Sequence, residues 1–259
     1  MKTIGAVGRE LRLSRQKFTG FQYATDVLGY RALRVLPRLA SSGRQRVAQV
    51  QGGGSIRYRF NRGDIQGIRE VFLDEVYRLP DDMSPRHIID LGANIGLTSL
   101  WYAHHYQVQH IIAVEPVPNN VALASANLST YGVSYELVEA AVGPEPGNAW
   151  FFQTTDSNLG HLGNGDLEVR VVTMPDLIER MGAKVDLLKI DIEGGEQALF
   201  SAKNLKWLEN VNAIIAEFHP AVVEYQRITG ILRSHGFQYF PAGSLWPGSM
   251  DLFKRTTSI

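Results

Sequence analysis

The spacing of apolar and polar positions changes period several times along the chain. Residues 56–60 alternate one by one, which predicts a short strand. Over residues 64–79, Ile65, Ile68, Val71, Phe72, Val76 and Leu79 fall on one side of a helix, and Pro80 and Pro85 close it. Short, nearly unbroken apolar runs follow at 88–90, 111–115, 135–142, 185–191 and 211–218. Such runs predict strands buried on both faces of a parallel sheet. Helical patterns separate them at 94–103, 118–131, 175–181, 196–202 and from 221 to 230 or beyond. Residues 150–153 and 168–172 predict two added strands around a polar loop at 154–166, and 237–240 with 250–254 predict a closing antiparallel pair. Residues 1–48 predict one or two basic helices, followed by a flexible turn, Gln51-Gly52-Gly53-Gly54-Ser55. Strands alternating with helices predict an α/β fold whose mainly parallel sheet is covered on both faces.

Charge adds one feature to this picture. The formal net charge of the 259 residues is zero, but ten Lys or Arg face only two Asp or Glu between Met1 and Arg46. The first segment is therefore about +8 and the remainder about −8. Its arginines are interleaved with Leu11, Leu13, Phe18, Leu33, Val35 and Leu36, a pattern expected of a helical arm that packs one stripe on the acidic body or on a neighbouring subunit. The expected division is an arm at 1–50, acting as a lid or a subunit contact, and one domain at 51–259. There is no cysteine, which excludes disulfides, thiolate nucleophiles and cysteine-held metals. No run of eighteen apolar residues predicts a membrane span, and the first twenty residues lack an apolar signal core. The expected location is cytoplasmic. Aromatic residues are too sparse in the basic arm to suggest nucleic-acid binding.

The chemistry begins at Asp90-Leu91-Gly92-Ala93-Asn94-Ile95-Gly96, between an apolar strand and a helical pattern. Strand, glycine turn and helix bring backbone N–H groups and a helix N-terminus up to a ligand. The spacing is D-x-G-x-x-x-G, not the G-x-G-x-x-G of dinucleotide sites. Glu115 ends the next strand and is placed to take a pair of ribose hydroxyls. Open α/β sheets bind ligands at the carboxyl ends of their strands. Asp90, Glu115, Glu139 to Ala141, Asp191 and Glu217 to His219 all fall at such ends although they are far apart in sequence.

The turn and Glu115-Pro116 resemble the first two motifs of class I S-adenosylmethionine-dependent methyltransferases. A longer block, Val185-Asp186-Leu187-Leu188-Lys189-Ile190-Asp191-Ile192-Glu193-Gly194-Gly195-Glu196, is similar to the D-L-x-K-I-D-x-E-G-x-E signature of the FkbM-type methyltransferases. Thr173 to Ile178 approximates another family segment, with Met-Pro replacing Leu-Asp, and Ala216-Glu217-Phe218-His219 resembles its E-x-H ending. The resemblance covers roughly residues 56–253. It implies a Rossmann-like, seven-stranded sheet whose last strand runs antiparallel. It also implies an S-adenosyl-L-methionine cofactor and O-methylation of a hydroxyl on a small secondary metabolite or sugar.

Under that resemblance the cofactor residues are Asp90, Gly92, Asn94, Gly96, Glu115, Pro116, Glu139, Ala140, Ala141 and Asp191. The glycines let the ligand lie against bare backbone, Asp90 approaches its amino group, and a backbone N–H in 139–141 reads the adenine. Asp90 or Asn94 is also a candidate cap for the helix that follows. Asp191 and His219 are the candidate bases, since a neutral alcohol is a poor nucleophile. Asp191, Glu217 and His219, with Glu193 beside them, are alternatively candidates to hold a divalent cation such as Mg²⁺. Ser157, Asn158, His161 and Trp246 are candidate acceptor contacts. Two competing readings are a nicotinamide-dependent oxidoreductase, against which the glycine spacing argues, and a non-catalytic binding protein, against which intact Asp90, Gly92, Glu115 and Asp191 argue.

Overall fold

The apolar runs supply the five parallel strands of a seven-stranded sheet. The structure, a computed structural model, describes residues 2–20, 22–35, 44–152, 161–163, 165–218, 223–240 and 250–256. The chain opens with α1 (Lys2–Lys17), β1 (Phe18–Thr19), α2 (Gln22–Val35), β2 (Gln45–Val50) and β3 (Ser55–Arg59). Next come α3 (Arg62–Ile68), a π-helical turn at Arg69–Leu73, β4 (His87–Leu91), α4 (Leu97–His105), β5 (His110–Glu115), α5 (Pro118–Leu128) and β6 (Ser134–Glu139). The central part continues with β7 (Ala141–Val142), β8 (Gly147–Phe152), β9 (His161–Leu162), β10 (Leu167–Val172), α6 (Met174–Met181), β11 (Leu187–Ile190) and α7 (Glu196–Leu199). A 3-10 turn at Lys206–Asn210, β12 (Ala213–Glu217), α8 (Tyr225–Ser234), β13 (Phe237–Phe240) and β14 (Met250–Arg255) complete it.

The large sheet runs β13-β14-β12-β11-β4-β5-β6. Five neighbouring strands, β12 to β6, are parallel, and β14 enters antiparallel between β12 and β13, as the closing pair predicts. Successive residues of a strand point to opposite faces, so each run divides between two cores. Ile88, Ile111, Ala113, Leu187, Ala213 and Ile215 pack with Phe72, Leu100 and Trp101 on one side. Ile89, Ile112, Val114, Leu188, Ile190 and Ile214 pack with Leu177, Trp207 and Phe253 on the other. At the amino ends of the strands, Asp186 ties three segments together. It accepts from the Arg86 and His87 amides at 2.9 and 3.0 Å and from Asn212 Nδ2 at 3.2 Å.

Three local expectations need correction. The run at 135–142 is not one strand. It leaves the large sheet after Glu139, and Ala141–Val142 pairs in parallel with Val171–Val172 in a separate four-stranded sheet, β7-β10-β8-β9. The helix expected at 64–79 lasts only to Ile68 before widening into the π turn, and Glu75 at φ 50° carries the chain out of helical geometry. The N-terminal segment is not purely helical. β1 and β2 join β3 in an antiparallel sheet, and Phe18, Tyr23 and Val27 enter the same apolar cluster as Ile88 and Leu100. Its charge meets the body at a Lys17–Glu75 ion pair and at Arg69 Nη1, 3.3 Å from Glu10 Oε1. Among the described residues no helix is long and apolar enough to cross a membrane.

Two glycines with left-handed φ separate conformational need from space. Gly92 has φ 73°, and a Cβ there would lie 1.8 Å from the Asp191 carbonyl oxygen; Gly132 has φ 66° with nothing within 4 Å. Gly132→Ala is therefore expected to cost only the left-handed strain, about 1–2 kcal/mol. Gly92→Ala should lose at least about 3 kcal/mol, because backbone must move as well. Urea unfolding of both variants checks this, and equal losses would contradict it.

Candidate active site

The same alternation that builds the core also lays out the site. Two positions after an apolar residue on one face, the next side chain on that face is polar at the carboxyl end of each central strand. Ile88 is followed by Asp90, Ala113 by Glu115, Leu187 by Lys189 and Ile215 by Glu217. These residues sit on four adjacent strands, β4, β5, β11 and β12. The chain winds from β4 outward to β5 and β6, then crosses back to β11 on the other side of β4. This is a topological switch point, where such sheets open a crevice for ligand.

The D-x-G-x-x-x-G turn fills the β4 side of that crevice. The Gly92 and Ala93 amides both donate to the Val114 carbonyl at 3.0 Å, pinning the turn to β5. Asn94 has φ 50°, and its amide donates to Glu115 Oε2 at 2.9 Å. Glu115 Oε1 accepts from the Val117 amide at 3.0 Å and from Asn120 Nδ2 at 3.1 Å. Burial raises the Glu115 carboxyl above its ordinary value, while these hydrogen bonds and the Lys189 charge oppose the shift. Oε2 retains capacity for a further hydrogen bond. The Asn94 Oδ1 atom is buried and finds no partner among the described residues, so the turn holds an unsatisfied acceptor.

The glycines serve the protein before they serve any ligand. Gly92 is required by the Asp191 carbonyl, and a Cβ at Gly96 would sit 3.2 Å from both Cα and Cβ of Ala124 on α5. Neither Asp90 nor Asn94 caps α4, which begins after Gly96 without a side-chain cap. Asp90 is fully buried. It accepts from Ser99 Oγ at 2.6 Å and faces Lys189 Nζ at 3.1 Å.

Asp191 follows β11 directly, with its side chain about a quarter exposed (24%). Tyr77 O–H donates to its Oδ2 at 2.9 Å, and Lys189 Nζ lies 4.0 Å from the same oxygen. Burial first, then Asp191 and Glu217, push the Tyr77 hydroxyl well above its ordinary range, so it stays a donor. Glu70 comes from the π turn. Gln66 Nε2 donates to it at 2.7 Å, and burial, Glu217 and Asp191 raise its pKa. Rare π turns often accompany functional sites, and this one carries a carboxyl that feels the charges of Glu217 and Asp191.

The structure thus brings together Asp90, Gly92, Asn94, Gly96, Glu115 and Asp191, with Glu217 at the next strand end. Pro116 follows β5 and leads into α5. Glu139 is in register with Glu115, but its side chain is exposed. The Ala140 amide is already donated to the Glu115 carbonyl at 3.2 Å, and the Ala140 and Ala141 side chains are buried. His161 lies in β9 opposite Phe152. Ser157, Asn158, His219 and Trp246 lie outside the described residues. Among the described residues, no group of three or more His, Asp or Glu is arranged to hold a metal ion.

Sequence reasoning passed over Lys189, Tyr77, Ser99, Asn120 and Glu70. Lys189 carried a signal. It is a charge inside Leu187-Leu188-Lys189-Ile190, a strand buried on both faces, and a charge there must be paired. Tyr77 and Glu70 carried none, because their positions depend on where the π turn ends.

The sequence that builds this site is shared with known proteins. Residues 90–239 match the family described as the methyltransferase FkbM domain. The chain is 26% identical over 217 residues to the 31-O-demethyl-FK506 methyltransferase FkbM of Streptomyces tacrolimicus, an alignment covering 68% of this chain and 83% of that protein. It is also 26% identical over 229 residues to methyltransferase sdnD of Sordaria araneosa, covering 73% and 87%. Among solved structures, a methyltransferase FkbM from Methylobacillus flagellatus KT aligns with a TM-score of 0.46 at 13% identity, over 98% of this chain and 60% of that one.

The raised Glu70 pKa makes a prediction. The folded protein holds this proton more tightly than the unfolded chain, so the contribution of Glu70 to stability declines as pH rises above its ordinary value of 4.5. Glu70→Gln has no such decline. Its melting temperature relative to wild type is expected to be higher at pH 8 than at pH 4.5. A difference that is flat or reversed across that range would contradict the placement of Glu70 among like charges.

Proposed function

Because the chain belongs to the FkbM methyltransferase family, with residues 90–239 carrying the match, we propose that this methyltransferase uses S-adenosyl-L-methionine to methylate a hydroxyl on a small secondary metabolite or sugar. The observation that carries the reading is the joined cradle at the switch point: Asp90, the Gly92–Gly96 turn and Glu115, locked to one another and to β11. The residues present fit the cofactor. Asn94 Oδ1 is an unpaired buried acceptor, and Glu115 Oε2 retains capacity for a ribose hydroxyl. Acidic side chains at four strand ends suit a ligand carrying an ammonium and a sulfonium.

When bound, S-adenosylmethionine supplies an electrophilic methyl group, whose S–C bond breaks as the new bond to the acceptor forms. The chain must align the acceptor oxygen and accept its proton. Asp191 is the first candidate for this proton. Tyr77 and Lys189 both address Oδ2, which fixes the carboxylate while leaving it partly open to the crevice. His219 follows β12 by two residues in sequence and is the second candidate base. Oxygen as the acceptor atom is supported by the printed name of the Streptomyces relative, a 31-O-demethyl acceptor. A divalent cation is not needed for this reading. If one binds, Asp191, Glu217 and His219 are the side chains to supply it.

Calorimetry with S-adenosylhomocysteine tests the cradle. Glu115→Ala should weaken binding by roughly 1.5–3 kcal/mol, the scale of hydrogen bonds involving a charged group. Unchanged affinity in a folded variant would remove Glu115 from the site.

Turnover tests the base. With methyl-labelled S-adenosylmethionine and a panel of small hydroxylated metabolites and glycosides, Asp191→Asn should lose about 10²–10⁴-fold in rate. Its affinity for S-adenosylhomocysteine should stay near wild type. Full activity in this variant would leave His219 as the base.

A further inference from the structure

We propose that Lys189 is a positioning residue for the cofactor, holding the glycine turn in its binding shape before any ligand arrives; this rests on the cofactor reading above. Lys189 is only 2% exposed, in the middle of the large sheet. Its ammonium donates to the Gly92 carbonyl at 2.8 Å and the Leu91 carbonyl at 3.1 Å, and its charge pairs with Asp90 Oδ1 at 3.1 Å. The Tyr77 ring covers it at 5.7 Å, and Asp191 Oδ2 lies 4.0 Å away.

The turn is thereby held from two sides. Its Gly92 and Ala93 amides donate to Val114 on β5, and its Leu91 and Gly92 carbonyls accept from Lys189 on β11. The Leu91 carbonyl has a second donor, the Asp191 amide at 3.2 Å. The Gly92 carbonyl depends on the lysine. The peptide after Gly92 is thus held at both ends, its Ala93 amide by Val114 and its carbonyl by the lysine. Its rotation would carry Ala93 and Asn94 with it, and the Asn94 amide would lose its line to Glu115. A preformed cradle binds more tightly because less order is lost on binding.

Burial alone would lower the Lys189 pKa, but Asp90, Asp191 and Glu115 raise it above the ordinary value, so the ammonium stays charged. Two roles are separable. As counter-charge, Lys189 acts on Asp90 and, from further away, on Asp191 and Glu115; as positioning residue, it also acts on the two carbonyls.

The experiment measures S-adenosylhomocysteine affinity by calorimetry in wild type, Lys189→Met, Asp90→Asn and the double variant Asp90→Asn/Lys189→Met. Amide hydrogen exchange is followed over residues 88–100 without ligand. Lys189→Met should bind at least about tenfold more weakly than wild type, the scale of one hydrogen bond to a charged group. Its turn amides should exchange faster while those of β12 stay protected. If Lys189→Met does not fold, the double variant decides, since it removes the buried pair together. The double variant should bind at least about tenfold more weakly than Asp90→Asn alone. Equal affinity of those two proteins, or a folded Lys189→Met with wild-type affinity and exchange, would overturn the proposal. A wild-type chain that does not bind S-adenosylhomocysteine would instead overturn the cofactor reading on which it rests.

Discussion

The close approach of β4 and β11 beyond their last paired residues governs the carboxyl end of the sheet. Leu91 pairs with Ile190, and one residue later the Asp191 carbonyl occupies the space where any side chain at 92 would be. Glycine at 92 follows from that contact, and so does the left-handed φ that bends the chain into the turn. The turn then presents its amides to Val114 and, through Asn94, to Glu115. Asp191 is held by the same approach, since its amide donates to the Leu91 carbonyl. The glycine turn and the candidate base are thus two sides of one backbone contact.

That contact brings charge into a place where charge is costly. Asp90 and Lys189 face each other in register, both essentially without solvent. A buried pair stabilises little in net terms, because desolvation offsets the attraction, yet removing one partner leaves the other stranded. Here the lysine donates to two backbone carbonyls while its charge faces Asp90 Oδ1 at 3.1 Å, and Ser99 supplies a donor to the far oxygen of Asp90. The arrangement is better understood as specification of geometry than as a source of stability. It keeps two adjacent strand ends, and the loops leaving them, in one relation.

The N-terminal segment contributes to this end of the molecule from outside the sheet. Phe18 packs against Tyr23 and Phe72 with tilted rings, the centroids at 4.5 and 5.9 Å. Phe72 lies within the π turn, so the packing of the first segment and the direction of Glu70 share one element. Tyr77, four residues past that turn, reaches Asp191, while its own carbonyl accepts from Tyr102 O–H at 3.0 Å. Acidic and aromatic groups at the mouth of the crevice therefore come from a region preceding the family match.

Local pattern was enough to determine the central parallel strands of the large sheet, the glycine turn and the line of acids at strand ends. Each depends on period-two alternation, on the special backbone freedom of glycine, or on the rule that ligands meet the carboxyl ends of parallel strands. The block around Lys189 and Asp191 was legible too, but as a signature and without a role for the lysine. Tertiary structure alone decided which partner each charge takes. Lys189 could have met Asp90, Asp191 or Glu115, and the register of β4 on β11 chose Asp90. Tertiary structure also decided that Ala141–Val142 would leave the large sheet and that the helix after residue 62 would widen at Arg69. Those outcomes rest on contacts between residues far apart in the chain, whose energies outweigh the local preferences that a sequence displays.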